Sequence, residues 1–239
     1  MTPTALGVLA TLHRYPVKSL LGERLSHAFI DDRGLQGDRL WSIRDSDGKF
    51  GSGKSTRRFR KMEGLLYLAA QYDGATPVVS FPGGRTLRGD EVEIHEALTD
   101  HVGRPVTLAR EQGISHFDEG PVHLVTTSSL RRLGEAVGYA VDERRLRPNL
   151  LIDTGGGTGF VEDTWVGRRI AVGAEVLLEI RAPMPRCVML DLPQLDLAAD
   201  GRLLTALGHL NTSRIGVVAD VLQPGTVRVG DVVHLSHKT

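Results

Sequence analysis

Short apolar and β-branched runs, each cut off by glycine, proline or a polar turn, set the first limit on what this chain can fold into. With 28 glycines and 11 prolines in 239 residues, the chain reads as strand-rich. Ala5–Tyr15 is expected as a first strand ending at Pro16, and Leu40–Arg44 as a strand closed by Asp45-Ser46-Asp47-Gly48. Pro77–Phe81, Glu91–Ile94 and Val106–Ala109 follow as short strands. Val122–Val125, Leu150–Ile152, Ile170–Val172, Val176–Ile180, Gly216–Val221 and Val232–Leu235 continue the pattern. Ser128–Val137 has helical spacing, with Leu130, Leu133 and Val137 on one face. Regular strand–helix alternation is missing, which argues against a doubly wound sheet. The expected class is mainly β (α+β), two β-rich barrel-like units with a few helices. The polar stretch Glu111–Gly120 is the expected seam, dividing residues 1–115 from 116–239.

Charge excludes some partners. Lys plus Arg and Asp plus Glu both number 29, so nothing pulls the whole chain toward nucleic acid or an anionic membrane. A local basic cluster can still hold a phosphate. No apolar run reaches membrane-helix length, and the start lacks a signal-peptide pattern. The expected setting is the reducing cytoplasm, in soluble form.

Cys187 is the single cysteine. One thiol cannot make an internal disulfide, a four-sulfur zinc site or an iron–sulfur cluster. It is a nucleophile, one soft ligand to a metal held by other means, or an inert core side chain. Arg186 beside it and Arg181 six residues back supply charge that favours a thiolate. Pro183 and Pro185 make the approach stiff and extended.

Other motifs carry less. Gly48–Ser55 matches the phosphate-loop pattern, which needs a buried strand before it and a helix N-terminus after it. Here a polar turn precedes it and basic residues Thr56–Lys61 follow, so a nucleotide binder is the outside reading and a Gly-Ser loop the plain one. The nine histidines show no zinc-ligand pairing. No G-x-S-x-G elbow is present. Gly155–Gly159 does not fit a dinucleotide fingerprint.

Tyr15–Ser19, Gly37–Trp41, Arg147–Ile152, Glu162–Trp165, Pro185–Cys187 and Pro224–Asp231 stand in this order along the chain. Taken with Cys187, these six segments resemble the MOSC-domain proteins, and the N-terminal half resembles the β-barrel domain that precedes MOSC in amidoxime-reducing molybdenum enzymes. The resemblance implies a molybdenum pyranopterin cofactor whose metal takes the Cys187 thiolate beside the pterin's own sulfurs, which makes a single cysteine sufficient. Lys18, Ser19, Arg39 and Arg147 match positions that grip the cofactor, whose phosphate suits a lysine point charge and arginine forks. Asn149 would face the pterin edge, and Arg186 the cofactor beside the thiolate. Thr126 and Thr127 are further donors on this reading, with helix capping the competing one.

The implied activity is reduction of N-hydroxylated or other N–O or S–O small molecules, with the cofactor performing the redox step. Lacking cluster cysteines, the chain would need a separate electron-donor protein of ferredoxin, flavoprotein or haem type. A sulfur carrier using a Cys187 persulfide is the alternative. One stretch departs from the resemblance: where reductase-like members read I-L-T-T-V-D-P after the cysteine, this chain has Val188-Met189-Leu190-Asp191-Leu192-Pro193-Gln194. That change implies a different substrate more than a different cofactor.

Overall fold

The alternation that begins at Thr4 produces the longest-range pairing in the molecule. In the computed structural model, which describes residues 4–236, Thr4–Arg14 (β1) buries Leu9 and Leu12 completely. It pairs on both edges with strands far along the chain: Leu12 lies opposite Leu150, and Val8 opposite both Asp153 and Val232. The other partners are Val122–Thr126 (β2), Leu150–Asp153 (β3), Arg169–Val172 (β4), Val176–Pro185 (β5), Arg214–Gln223 (β6) and Val232–Ser236 (β7). In the order β3-β2-β6-β5-β4-β7-β1, with β1 returning to β3, they close into a barrel. Closure removes free edges. Leu9, Leu124, Ile152, Ile170, Leu178 and Val217 fill its interior, each contributing roughly 2 kcal/mol relative to exposure. Gly216 (φ 78°) lets β6 cross β2, since a Cβ there would meet the Leu124 carbonyl oxygen at 2.5 Å and His123 Nε2 at 2.7 Å.

A second core contains Val17, Leu20, Ile43, Leu65, Leu68, Val79 and Leu98. Two open sheets wrap it, one of Val106–Arg110, Trp41–Asp45, Phe50–Ser52 and Phe59–Lys61, the other of Thr86–Arg88, Thr76–Ser80 and Ala69–Asp73. The class is mainly β, as expected. A third small sheet, Gly225–Arg228 with His27–Asp31 and Gly34–Leu35, stitches the two ends of the chain together. No helix among the described residues is long and apolar enough to cross a membrane.

Three readings change. Glu91–Ile94, expected as a strand, opens onto helix α1 (Glu93–Val102), which buries Ile94, Ala97 and Leu98 and stops at left-handed Gly103. A four-residue window hid the longer i, i+4 period. Beyond α2 (Thr127–Val137), an unanticipated helix α3 (Leu203–Asn211) packs Leu203 and Leu207 against α2. In the phosphate-loop pattern, Phe50–Ser52 is a strand, and the next element is the parallel strand Phe59–Lys61. No helix N-terminus follows Lys54, so the nucleotide reading fails for want of aligned amides.

The start of α2 is fixed by a buried carboxylate. Thr126 Oγ1 accepts the Ser129 amide N–H at 3.2 Å and donates to Glu162 Oε2 at 2.6 Å. Ser129 Oγ also donates to Glu162 Oε2 at 2.6 Å, and the Gly216 amide to Oε1 at 3.2 Å. Burial pushes the Glu162 carboxyl up, against the pull of the two hydroxyls. Glu162→Ala strands three donors and is expected to lower unfolding free energy by on the order of 3 kcal/mol in urea denaturation. An unchanged midpoint would show that water replaces the carboxylate at no cost.

Candidate functional site

Where β1 and β5 run out, their next residues turn toward one another. Lys18 and Ser19 follow the end of β1, Arg39 lies just before Trp41, Arg147 and Asn149 precede β3, and Arg186 and Cys187 leave the end of β5. All seven line one cleft of about 230 Å³. Pro183 and Pro185 hold β5 extended to its last residue, and Cys187 emerges partly exposed.

Backbone strain gathers at the same place. Ser19 (φ 66°), Arg39 (φ 51°) and Arg147 (φ 52°) adopt left-handed conformations. They are half of the six such non-glycine residues among the described residues, and each costs of order 1–3 kcal/mol. Concentration of that cost in one cleft marks a constellation held by its surroundings rather than chosen locally.

The cleft is cationic and its cations are buried. Both the Arg39 and Arg147 guanidinium groups stack on the Tyr15 ring, at 4.7 and 4.4 Å from its centroid. Burial pushes the Tyr15 phenol up to about 12, so it stays neutral, and its hydroxyl has no partner. Arg39 pairs with fully buried Asp38, whose charge holds it above the usual range against the pull of burial. It also donates to the Arg147 carbonyl oxygen at 3.2 Å. Arg147 donates one nitrogen to the Leu20 carbonyl oxygen at 2.6 Å, while Nη2 is buried without an acceptor. Burial, then the Arg39 charge, lowers Arg147 to about 10. Lys18 Nζ, 4% exposed, meets the His116 carbonyl oxygen at 2.8 Å and Asp118 Oδ1 at 2.6 Å.

Two neutral histidines prop the two strained arginines. His116 Nδ1 lies 3.0 Å from the Arg39 carbonyl oxygen, and His123 Nδ1 lies 3.3 Å from that of Arg147. Their Nε2 atoms meet the guanidinium nitrogens of Arg44 at 2.8 Å and Arg186 at 2.6 Å. A guanidinium only donates. Each Nε2 is therefore the acceptor and each Nδ1–H donates to a cleft carbonyl. Burial holds both rings neutral: His116 falls to about 4, and His123 goes well below its ordinary value with Arg186 adding to the effect.

Arg186 spends its donors on structure, on the Ile215 and Leu146 carbonyl oxygens and His123, and burial lowers it to about 9. Arg181 bonds the Glu119 carbonyl oxygen and approaches Asp220 at 3.5 Å. The charge expected from it at Cys187 goes elsewhere. Asn149 lines the cleft, but its amide bridges the His123 N–H at 3.1 Å and the His13 carbonyl oxygen at 3.3 Å. Ser19 Oγ donates to the Gly51 carbonyl oxygen at 2.8 Å. Thr126 and Thr127 lie outside the cleft: the first caps α2 and the second donates to Asp153 at 2.9 Å.

Asp38, Asp118, His116 and His123 are cleft or supporting residues that sequence reading missed, and of these only Asp38, inside Gly37–Trp41, carried a signal. Ser52 and Lys54 line the cleft too and lay inside the Gly48–Ser55 pattern. A larger hollow of about 640 Å³ adjoins His13, Tyr15 and Glu143, but it lacks the thiol and the cation cluster.

Lys18 is expected to make any anion binding in this cleft pH-dependent. Burial lowers its ammonium to about 8, against the opposing Asp118 carboxylate, and an anion binds the charged form. Affinity is therefore full below about pH 8 and is lost as pH rises through that value. Sulfate, whose own charge is constant there, is expected to weaken by up to about tenfold per pH unit. Calorimetric titration from about pH 6.5 to 9.5 checks this, with Lys18→Met weak and less steep. Equal slopes in both proteins would remove Lys18 from the anion site.

Comparison with known proteins places this geometry in a family. The MOSC domain model matches residues 101–234, and the MOSC N-terminal beta barrel domain model matches residues 6–120. A molybdenum cofactor sulfurase of Drosophila grimshawi is 28% identical over 246 residues, covering 87% of this chain and 31% of that protein. The chain thus spans about a third of that relative's length. The crystal structure of the YUAD protein from Bacillus subtilis covers 100% of this chain and 98% of that one, with a TM-score of 0.53 at 16% identity, a likeness of fold. With both models matching in the order of the six segments, and the cations and thiol those segments carry meeting in one cleft, the chain belongs to the MOSC domain family.

Proposed function

We propose that this protein is a molybdenum-cofactor oxidoreductase that removes oxygen from N-hydroxylated or related N–O or S–O compounds. The observation that carries the reading is one thiol set at the rim of a buried, cationic cleft. Lys18, Arg39 and Arg147 would hold an anionic phosphate, Arg147 Nη2 being the buried donor without an acceptor. Ser19, Asn149 and Arg186, engaged with the protein, fix the walls. Cys187, partly exposed, would be the soft ligand to molybdenum. These residues fit the group: excess positive charge, an open donor and a single cysteine sulfur are what an anionic, sulfur-ligated cofactor requires.

When bound, the cofactor supplies two-electron redox chemistry. The overall reaction is RNHOH + 2e⁻ + 2H⁺ → RNH₂ + H₂O, with electrons from a separate donor protein of ferredoxin, flavoprotein or haem type. This chain's part is to bind, orient and exclude water. His116 and His123, neutral and committed through both nitrogens, hold carbonyls rather than move protons.

A second reading is supported by the sulfurase relative: Cys187 as a persulfide carrier. A pyridoxal-dependent desulfurase would load the outer sulfur. An acceptor nucleophile then bonds to that sulfur, the S–S bond breaks, and Cys187 leaves as thiolate.

Expression in a cofactor-competent host tests both. The expected result is near-stoichiometric molybdenum with releasable pterin, and Cys187→Ala losing turnover by at least about a thousandfold while its melting temperature is kept. Full activity in Cys187→Ala would remove it as ligand. Absent molybdenum, with an extra sulfur on Cys187 by mass spectrometry, would favour the carrier.

A further inference from the structure

Next to the cleft is a second hollow of about 290 Å³, walled by Met62, Leu65, Leu66, Leu192 and Pro193. Met189, two residues beyond Cys187, belongs to the walls of both. Gly53 stands at the rim, flanked in the chain by Ser52 and Lys54, which face the cleft. Its amide N–H points at the Met189 sulfur, 3.1 Å away. One flexible side chain is thus the partition between the thiol's cleft and this hollow.

The two spaces differ in chemistry. The cleft holds buried cations, whereas the hollow is bounded mainly by aliphatic and thioether groups, with the Tyr67 ring beside them. Lys61 and Glu63 are exposed at its edge and pair with one another at 3.1 Å, which keeps their charge out of the interior. Its volume is about twice the ~150 Å³ that accommodates benzene, and apolar spaces of this kind bind apolar groups rather than ordered water.

The segment after Cys187 divides its labour in a way that exposes this wall. Leu190 is buried against α3, and Asp191 Oδ1 accepts the Leu204 amide at 3.3 Å, so the residues at the two substituted hydroxyl positions hold the fold. Met189 and Leu192 are left facing the hollow, and methionine adapts its shape to what it touches. At Gly53 a Cβ would run into Leu192 Cδ1 and Met189 Sδ. The glycine keeps the rim open.

We propose that this hollow receives the apolar substituent of the substrate, with the N–O head at Cys187. The proposal rests on the reductase reading above and narrows it to N-hydroxylated compounds bearing an alkyl or aryl group of about six to ten carbons. Met62, Met189 and Leu192 set the specificity.

The test is a series from acetamidoxime to octanamidoxime with molybdenum-loaded protein, joined to methyl-labelled methionine NMR, in which the chain gives four methionine signals. The expected kcat/KM rises about threefold to tenfold per methylene until the hollow is full. Hexanamidoxime is expected to shift the methyls of Met62 and Met189, and acetamidoxime, confined to the cleft, to leave Met62, which lines the hollow alone, in place. Gly53→Val, which closes the rim, should flatten the chain-length series while sparing acetamidoxime; if it fails to fold, the wild-type NMR still decides. Turnover indifferent to chain length, with Met62 and Met189 unmoved, overturns the hollow and leaves the reductase reading standing. Hexanamide, which carries no N–O bond, separates the two in the other direction. Shifts at Met62 and Met189 in protein that reduces nothing uphold apolar binding and overturn the reductase reading.

Discussion

Burying positive charge beside positive charge is the constraint around which this cleft is built. Lys18, Arg39, Arg147 and Arg186 line a single hollow, where water can no longer screen them and desolvation alone costs several kcal/mol per ion. Asp38 and Asp118 answer part of that charge. Most of the remainder is answered by backbone carbonyls, those of Leu20, Arg147, Ile215, Leu146 and His116. Carbonyls can be aimed at a cation only if the backbone bends to suit. Arg39 and Arg147 accordingly sit at positive φ, and a neutral histidine bonds the carbonyl of each.

That arrangement separates residues that present charge from residues that hold it in place. Arg147 keeps one buried nitrogen uncommitted, and Lys18 meets a carboxylate whose side chain is half exposed. Arg186 and Asn149 are engaged by protein groups instead. Arg145 extends the same device past the cysteine, bonding the carbonyl oxygens of Leu190, Leu192 and Ala198. It thereby sets the path of the segment that walls the apolar hollow. Cation placement and hollow shape are consequences of the same guanidinium–carbonyl bonding.

Legibility in the sequence followed the range of the interactions. Strands such as Val106–Arg110 and Val122–Thr126 were readable because alternation and β-branching act over neighbours. Helix α1 was misread because four apolar-flanked residues satisfy either period. The residues of the cleft were readable only as members of motifs: Lys18 alone is an ordinary surface lysine, yet it is 4% exposed. His116 and His123 carried no signal, since their role depends on carbonyls of Arg39 and Arg147, distant in sequence. Thr126 was readable as a cofactor donor or as part of a helix cap, and in the structure it caps α2 and bonds Glu162, because a hydroxyl at a strand-to-helix junction serves either purpose until its partner is known.

By itself the sequence determined the mainly β class, the lone thiol at the end of a stiff strand, and the six segments that mark the family. These rest on local propensity, covalent count and order along the chain. Tertiary structure decided that β1 closes a barrel with strands more than a hundred residues away, and which cations meet. It also decided which of their nitrogens stay free and that Met189 divides a charged cleft from an apolar hollow. Such facts depend on distances through space between residues far apart in the chain, and no local pattern encodes them.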